Sequence, residues 1–241
     1  QRYEELPLTT MAHLQNISPH YLNWVNHPSF DDFWRGLDAR NYAQIDKPVI
    51  HIGGWFDIFL NGTLQSFIGM RNHAKTATSR SRQKLIVGPW THSNNLGSSY
   101  HEQELGMHGS GEAINMAGTQ LRWMDRWVKG VKNGIEQEPP VRIFVMGINQ
   151  WRDEADWPLP DTRYTPFYLR SNGQANTLRG DGALASEPAT SETPDRFVYN
   201  PLDPVPSIGG ANLMPFASSS GPRDQQSVEQ RQDVLVYSTP V

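Results

Sequence analysis

Two short apolar runs constrain the fold of this chain most. The first, in KPVIHIGGWFDIF, places Val49, Ile50 and Ile52 between Pro48 and the Gly53-Gly54 pair; the second, KLIVGPWTH, follows about 35 residues later. Between them Leu60, Leu64, Phe67 and Ile68 recur at the i, i+4, i+7, i+8 spacing of an amphipathic helix that should end near His73. Strand, helix and strand at this spacing predict two buried parallel strands joined by a helical crossover, because parallel neighbours need a connection of a dozen or more residues. The fold class is therefore α/β.

Residues 8 to 36, LTTMAHLQNISPHYLNWVNHPSFDDFWRG, are rich in aromatic residues, with Pro19 and Pro28 at expected first-turn positions of two short helices. Ser18 could cap the first, and Ser29 lies near the second. After His92 comes SNNLGSSYHEQELGMHGSGE, too long and Gly-rich for an ordinary connection and readable as a functional loop. Ile114, Ala117, Leu121, Met124 and Val128 then mark another helix, with Gly130 placed to stop it. From about residue 139 the texture changes. Pro139 and Pro140 precede VRIFVMG, and PFYL, RFVY and DVLVY alternate with turn-rich segments, as at the start of an all-β domain. The stretch from Asn200 to Gln232 is rich in Pro, Gly and Ser and is expected to run over a surface.

Composition removes several classes of function. A net charge of -4 without a run of Lys and Arg offers no stripe to neutralise phosphates, so no nucleic acid is expected as a partner. No apolar stretch approaches the roughly 18 residues of a membrane span, so no membrane insertion is expected. The absence of cysteine excludes disulfides, thiolate metal sites and cysteine nucleophiles from this sequence. Apolar residues form 37% of the chain, with 8 Trp, 8 Tyr and 9 Phe, so aromatic rings must supply much of the buried area. The sequence opens on Gln1 with no signal-like leader, and we read it as a fragment or a processed chain.

Functional residues of open α/β sheets sit just beyond the carboxyl ends of strands. Asp57 follows the first strand and His92 the second. A carboxylate and an imidazole at neighbouring strand ends can form the hydrogen bond that fixes a catalytic histidine, and the order acid then histidine is that of an α/β-hydrolase. Equally, Asp57 could cap the following helix and His92 could be a solvated loop residue. His92, His101 and His108 fit no common zinc spacing, so no metal is expected. His51, inside the first strand, reads as a hydrogen-bonded core residue. Tyr21, Trp24, Phe30, Phe33 and Trp34 could line a substrate pocket or simply pack helices together.

The segments GGWFDIF, KLIVGPWTH, QLRWMDRWVKG, PPVRIFVMGINQWRDEADWPLP and GPRDQQSVEQRQDVLVYS together resemble the X-Pro dipeptidyl-peptidase family of serine hydrolases, the S15-type group that includes cocaine esterases and α-amino acid ester hydrolases. The resemblance covers nearly the whole chain. It implies the carboxyl-terminal portion of such an enzyme: a helical cap segment over 1–45, the later part of an α/β-hydrolase domain over 46–138, and an incomplete β jelly-roll domain over 139–241. It also implies that Asp57, of the GWxD motif, and His92, of GPWxH, are the acid and base of a catalytic triad.

The departure from the pattern concerns the nucleophile. No G-x-S-x-G elbow occurs: none of Ser98, Ser99 and Ser110 has a glycine on both sides at that spacing. The family carries its serine and oxyanion groups upstream of the cap, so this chain alone should turn over negligible substrate. The expected substrate is a small ester, amide or peptide, with no cofactor. A complementary amino-terminal hydrolase segment is the expected partner. An unpaired strand edge near Val49 predicts a homo-oligomer or pairing with that segment. The alternative is a non-catalytic binding or scaffolding protein that uses its jelly roll.

Overall fold

The computed structural model describes residues 7–38, 40–92, 99–100, 103–213 and 220–240. It divides into two compact units, one of residues 1–41 with 199–204, the other of 42–198 with 205–241.

The smaller unit carries three short helices, α1 (Ala12–Ile17), α2 (Tyr21–Asn26) and α3 (Asp32–Leu37). Neither proline stands in a first turn: α2 starts two residues after Pro19 and α3 four after Pro28. Nor does Ser18 cap α2, whose N-cap position is His20 with no side-chain cap hydrogen bond. Ser18 terminates α1, and α3 is capped by Asp31, whose Oδ1 accepts from the backbone N–H groups of Phe33 at 3.0 Å and Trp34 at 3.4 Å. A carboxylate there satisfies two orphan donors and opposes the positive end of the helix dipole, which a hydroxyl at position 29 could not do.

The larger unit is built on a four-stranded sheet. Strand β1 (Ile50–Phe56) leads through α4 (Leu60–His73) and α5 (Ala77–Ser81) to β2 (Lys84–Thr91). The two strands are parallel neighbours, as the spacing of the apolar runs demands. A two-stranded antiparallel ladder, β3 (Ser99–Tyr100) with β4 (Gln103–Glu104), and helix α6 (Met116–Trp127) precede β5 (Val141–Val145) and β6 (Gln150–Glu154). The strand order is β1-β2-β5-β6. β5 runs parallel to β2 and β6 antiparallel to β5. VRIFV therefore extends the α/β sheet rather than opening a separate β layer. The reason is burial: Val141 and Ile143 join Phe67, Leu85 and Val87 in one core cluster. Burying each such side chain contributes about 1.5–3 kcal/mol.

Alternation along β2 serves both faces of the sheet. Leu85 and Val87 meet α4 through Phe67, while Ile86 and Trp90 pack with Met116 of α6. All eight residues of β2 are buried, as expected of a strand with neighbours on both edges and helices on both faces. Helix α6 turns a different face inward from the one its periodicity suggests. Met116 and Trp123, seven residues apart, are buried, while Leu121, Met124 and Val128 are exposed. The two larger side chains bury more area, and the aliphatic stripe is left at the surface. There Met124 and Val128, with Trp123, Trp127 and residues 47–50 at the start of β1, surround an apolar hollow of about 520 Å³. The helix ends at Trp127 with Val128 as its C-cap, and Gly130, at φ 75°, follows close by, near the predicted stop.

β1 pairs with β2 on one side and, among the described residues, with nothing on the other. Downstream, β7 (Tyr168–Arg170) and β8 (Ala183–Ala185) form a two-stranded antiparallel ladder, followed by the short helix α7 (Gln226–Glu229). Among the described residues no helix is long and apolar enough to cross a membrane.

His51 is a core residue, as its place in the strand suggested. It is buried, its Nε2 lies 2.9 Å from Gln83 Oε1, and its ring stands edge-on to Phe67 at 5.7 Å. Burial holds its pKa below the ordinary 6.5, against the smaller opposing effect of the Gln83 hydrogen bond. The unfolded chain therefore binds a proton here at a pH where the folded chain does not. Stability is intact above the ordinary histidine value and falls as pH drops from there toward the folded value. Urea denaturation at pH 7.5 and pH 5 should show this loss, and His51→Gln should reduce the difference between the two midpoints; an unchanged difference would remove His51 as its source.

Candidate active site

The site is made where β1 and β2 end. From Ile50 to Gly54 the strands pair residue for residue, Gly54 lying beside Gly88, but the next registered pair is Phe56 with Thr91. β1 advances two residues over this step and β2 advances three. The extra residue is a bulge in β2 at Pro89-Trp90, and Pro89, with no N–H to give the ladder, suits it. The shift places His92, one residue past Thr91, beside Asp57, one residue past Phe56. His92 Nδ1 lies 3.2 Å from Asp57 Oδ1 and 3.3 Å from Oδ2.

The bulge brings the two backbones so close that Gly54 has no room for a side chain. A Cβ there would lie 2.2 Å from the carbonyl oxygen of Trp90. Gly88 is under a similar constraint, since a Cβ would lie 2.2 Å from the Trp90 ring. Trp90 itself is 1% exposed and donates its indole N–H to the Gly109 carbonyl at 2.8 Å. The bulge is thus held by a buried ring with its one polar atom satisfied.

Asp57 does not cap α4, whose N-cap is Phe59 with no side-chain cap hydrogen bond, but it shapes the turn before it. Its Oδ1 accepts from the Phe59 N–H at 2.8 Å and its carbonyl from Leu60 N–H at 3.1 Å, so it shapes the entry to α4 while holding His92. Its own N–H donates to the Gly54 carbonyl at 3.0 Å, which fixes the turn. The Asp57 side chain is 17% exposed and that of His92 is 41%. The carboxylate is therefore shielded and the imidazole is open. Phe59, which sequence reasoning missed, stands edge-on to the His92 ring at 5.0 Å and is half exposed. Its place two residues after Asp57 was the available signal. Chemically, a carboxylate accepting from Nδ1–H leaves Nε2 with a lone pair, and among the described residues nothing occupies that atom.

The five predicted pocket aromatics all belong to the smaller unit. Tyr21 donates its hydroxyl to the Leu8 carbonyl at 2.9 Å, and Trp34 its indole N–H to the His27 carbonyl at 2.7 Å. Phe33 stacks on His27 at 4.5 Å and meets Trp34 edge-on at 5.0 Å. Trp24 and Phe30 are half exposed, with the guanidinium groups of Arg35 and Arg40 over the Phe30 ring. His27 also forms a second histidine–carboxylate contact, Nδ1 to Asp31 Oδ2 at 2.5 Å, which sequence reasoning did not single out.

Of the loop residues, Ser98 and His101 lie outside the described residues. His108 lies in a single helical turn, Met107–Gly109, where its carbonyl accepts from the Trp151 indole at 2.6 Å. Ser110 Oγ donates to the Met107 carbonyl at 2.8 Å and accepts from Ala113 N–H at 3.2 Å, a local turn. Among the described residues no three His, Asp or Glu side chains are grouped to hold a metal ion.

Comparison with known proteins gives this geometry its context. Residues 1–94 match the X-Pro dipeptidyl-peptidase (S15 family) profile, and residues 133–241 match that of the X-Pro dipeptidyl-peptidase C-terminal non-catalytic domain. A cocaine esterase of Rhodococcus sp. (strain MB1 Bresler) is 36% identical over 98% of this chain, which spans 40% of that relative. A putative serine esterase of Mycobacterium tuberculosis is 30% identical over 62% of this chain and 21% of the relative. The crystal structure of an aminopeptidase from a marine sediment Thaumarchaeota archaeon aligns over 94% of this chain and 36% of its own, with a TM-score of 0.72 at 22% identity, a likeness of fold. The chain thus spans well under half the length of these relatives. It belongs to the X-Pro dipeptidyl-peptidase (S15) family, with a cocaine esterase and a putative serine esterase among the relatives it is similar to.

Gly54→Ala tests the geometry. Overpacking of this kind costs about 1–3 kcal/mol. The variant should unfold at lower urea concentration than wild type and lose the His92–Asp57 hydrogen bond, seen as loss of a downfield imidazole N–H resonance. Retention of both would show that the close approach is not what sets the register.

Proposed function

We propose that this chain supplies the acid, Asp57, and the general base, His92, of a serine hydrolase that cleaves ester or amide bonds through an acyl-enzyme. The nucleophilic serine and oxyanion donors come from a polypeptide segment outside these 241 residues. The observation that carries the proposal is the 3.2 Å contact between His92 Nδ1 and Asp57 at the ends of adjacent parallel strands, with Nε2 open. Asp57 holds the imidazole as the Nδ1–H tautomer. Nε2 then takes the serine proton as its oxygen attacks the substrate carbonyl, and returns it to the leaving alkoxide or amine. Imidazolium formed between these steps is stabilised by the carboxylate. Water enters by the same route and releases the acyl group.

Under this reading Tyr21, Trp24, Phe30, Phe33 and Trp34 line the acyl pocket from the helical cap, and the chain beyond β6 continues into a jelly-roll domain. The substrate is a small ester, amide or peptide; the esterase names of the relatives and the dipeptidyl-peptidase name of the family support this reading. A purely binding role finds no support in those names.

In an enzyme carrying both this chain and the serine segment, His92→Ala and Asp57→Asn should each lower kcat by about 10⁴-fold or more, leaving residual catalysis from the oxyanion groups. Fluorophosphonate labelling of the same material should mark a serine outside residues 1–241. The 241-residue chain alone should show negligible esterase activity; a clear rate abolished by His92→Ala would overturn the proposal.

The same reading makes the open edge of β1 a pairing surface, with the exposed Met124 and Val128 beside it. Alone, the chain should self-associate through that edge. Sedimentation at micromolar concentration checks this, and a stable monomer would count against it.

A further inference from the structure

Three Asn-Gly pairs occur in the sequence: Asn61-Gly62, Asn133-Gly134 and Asn172-Gly173. Such pairs lose the asparagine side-chain ammonia most easily, because glycine leaves the following backbone nitrogen free to approach the carboxamide carbon. The structure separates the three. Asn61 lies in the first turn of α4, and ring closure would force it out of the helical backbone region. Asn133 has its carboxamide held at both ends: Nδ2 donates to the Arg122 carbonyl at 2.7 Å, and Oδ1 accepts from Ile135 N–H at 3.2 Å. Asn172 lies outside any helix or strand and is exposed, and its carboxamide bonds to none of the described residues. Gly173 has φ 85°.

We infer that Asn172 is a site of spontaneous deamidation in the folded protein, with its rate set by the Ser171 hydroxyl. The Gly173 N–H, which must lose its proton before attack, donates to Ser171 Oγ at 3.1 Å. That hydroxyl is itself fixed, because it donates to Asp195 Oδ2 at 2.6 Å. One hydrogen bond therefore restrains the attacking nitrogen, and it acts as a brake that opens in local fluctuations.

Solvent base removes the Gly173 N–H proton, and the nitrogen forms a bond to Asn172 Cγ. The Cγ–Nδ2 bond breaks, and ammonia leaves with a proton taken from water. The product is a five-membered succinimide. Water then adds to either succinimide carbonyl, giving aspartate or isoaspartate, so the net change consumes one water and releases one ammonia. The new carboxylate appears among others. Asn172 N–H already donates to Asp181 Oδ2 at 2.9 Å, and Ser171 N–H to Glu192 Oε2 at 3.4 Å. Like charges added there loosen the segment that carries β7 and β8.

The test incubates the 241-residue chain at mildly basic pH in heavy-oxygen water and follows all three sites by peptide mass mapping. Asn172 should convert several-fold faster than Asn61 or Asn133, yielding both acid products with one heavy oxygen. In urea the three rates should converge. Ser171→Ala should accelerate Asn172 while Asn133, in the same sample, stays slow and reports an intact fold. Conversion of the three sites at equal rates in the folded chain, or of Asn61 or Asn133 ahead of Asn172, would overturn the site. A slower Asn172 in Ser171→Ala would overturn the brake.

Discussion

The arrangement of the site depends on one extra residue in β2. Were the strands in register to their ends, Asp57 would stand level with Thr91, and His92 would lie a residue further along and turned to the other face, because a single step in a strand inverts side-chain direction. The bulge removes that offset. It is expensive in ladder hydrogen bonds and in space, and the sequence meets both costs locally. Pro89 has no N–H to leave unpaired, while Gly54 and Gly88 give up their side chains so that Trp90 can fit.

Trp90 is then the link between the site and the rest of the layer. Its ring lies with Ile86 and Met116 on one face of the sheet and meets Trp151 of β6 at 5.6 Å, which in turn meets Phe144 of β5 at 5.4 Å. Trp55, near the end of β1, donates its indole N–H to the Phe144 carbonyl at 2.7 Å. Both strands that end at the site are therefore tied to β5 and β6 by tryptophan side chains whose N–H groups are satisfied. The joining of VRIFV to the sheet is part of what makes the Asp57–His92 geometry rigid, and not an appendage of a later domain.

Much of this was legible in the sequence. The two apolar runs and the helical period between them gave β1, α4 and β2, and the order of Asp57 and His92 at strand ends gave the pair. The bulge had a signal too, a proline inside a buried strand, but its consequence for register needs the partner strand. What periodicity could not reveal was which face of α6 is buried. Met116 and Trp123 outweigh Leu121, Met124 and Val128 only when the sheet they pack against is known. The start of α3 was less legible, because Ser29 and Asp31 are both capping residue types and only the backbone shows that Asp31 is the one that accepts from the Phe33 and Trp34 N–H groups.

The part of the chain beyond β6 is held by different forces. A two-stranded ladder such as β7 with β8 is marginal alone, and in this region few apolar residues are buried, Ala175 and Val228 among them. Its centre is instead a carboxylate. Asp195 accepts from Ser171 Oγ and Tyr237 Oη through Oδ2 and from Ala175 N–H through Oδ1. The Ser171 and Tyr237 hydrogen bonds hold its pKa below the ordinary carboxylate value, and the same contact pushes the Tyr237 hydroxyl up to about 12. The hub's contribution is present above the ordinary carboxylate value and lost only as pH falls through the lowered one. The buried His51 of the sheet begins to oppose folding below the ordinary histidine value of 6.5, before the hub's carboxylate is protonated. Mild acid should therefore weaken the layer that carries Asp57 and His92 before it releases the tail, since burial of a neutral imidazole and pairing of a charged carboxylate fail at opposite ends of the acid range.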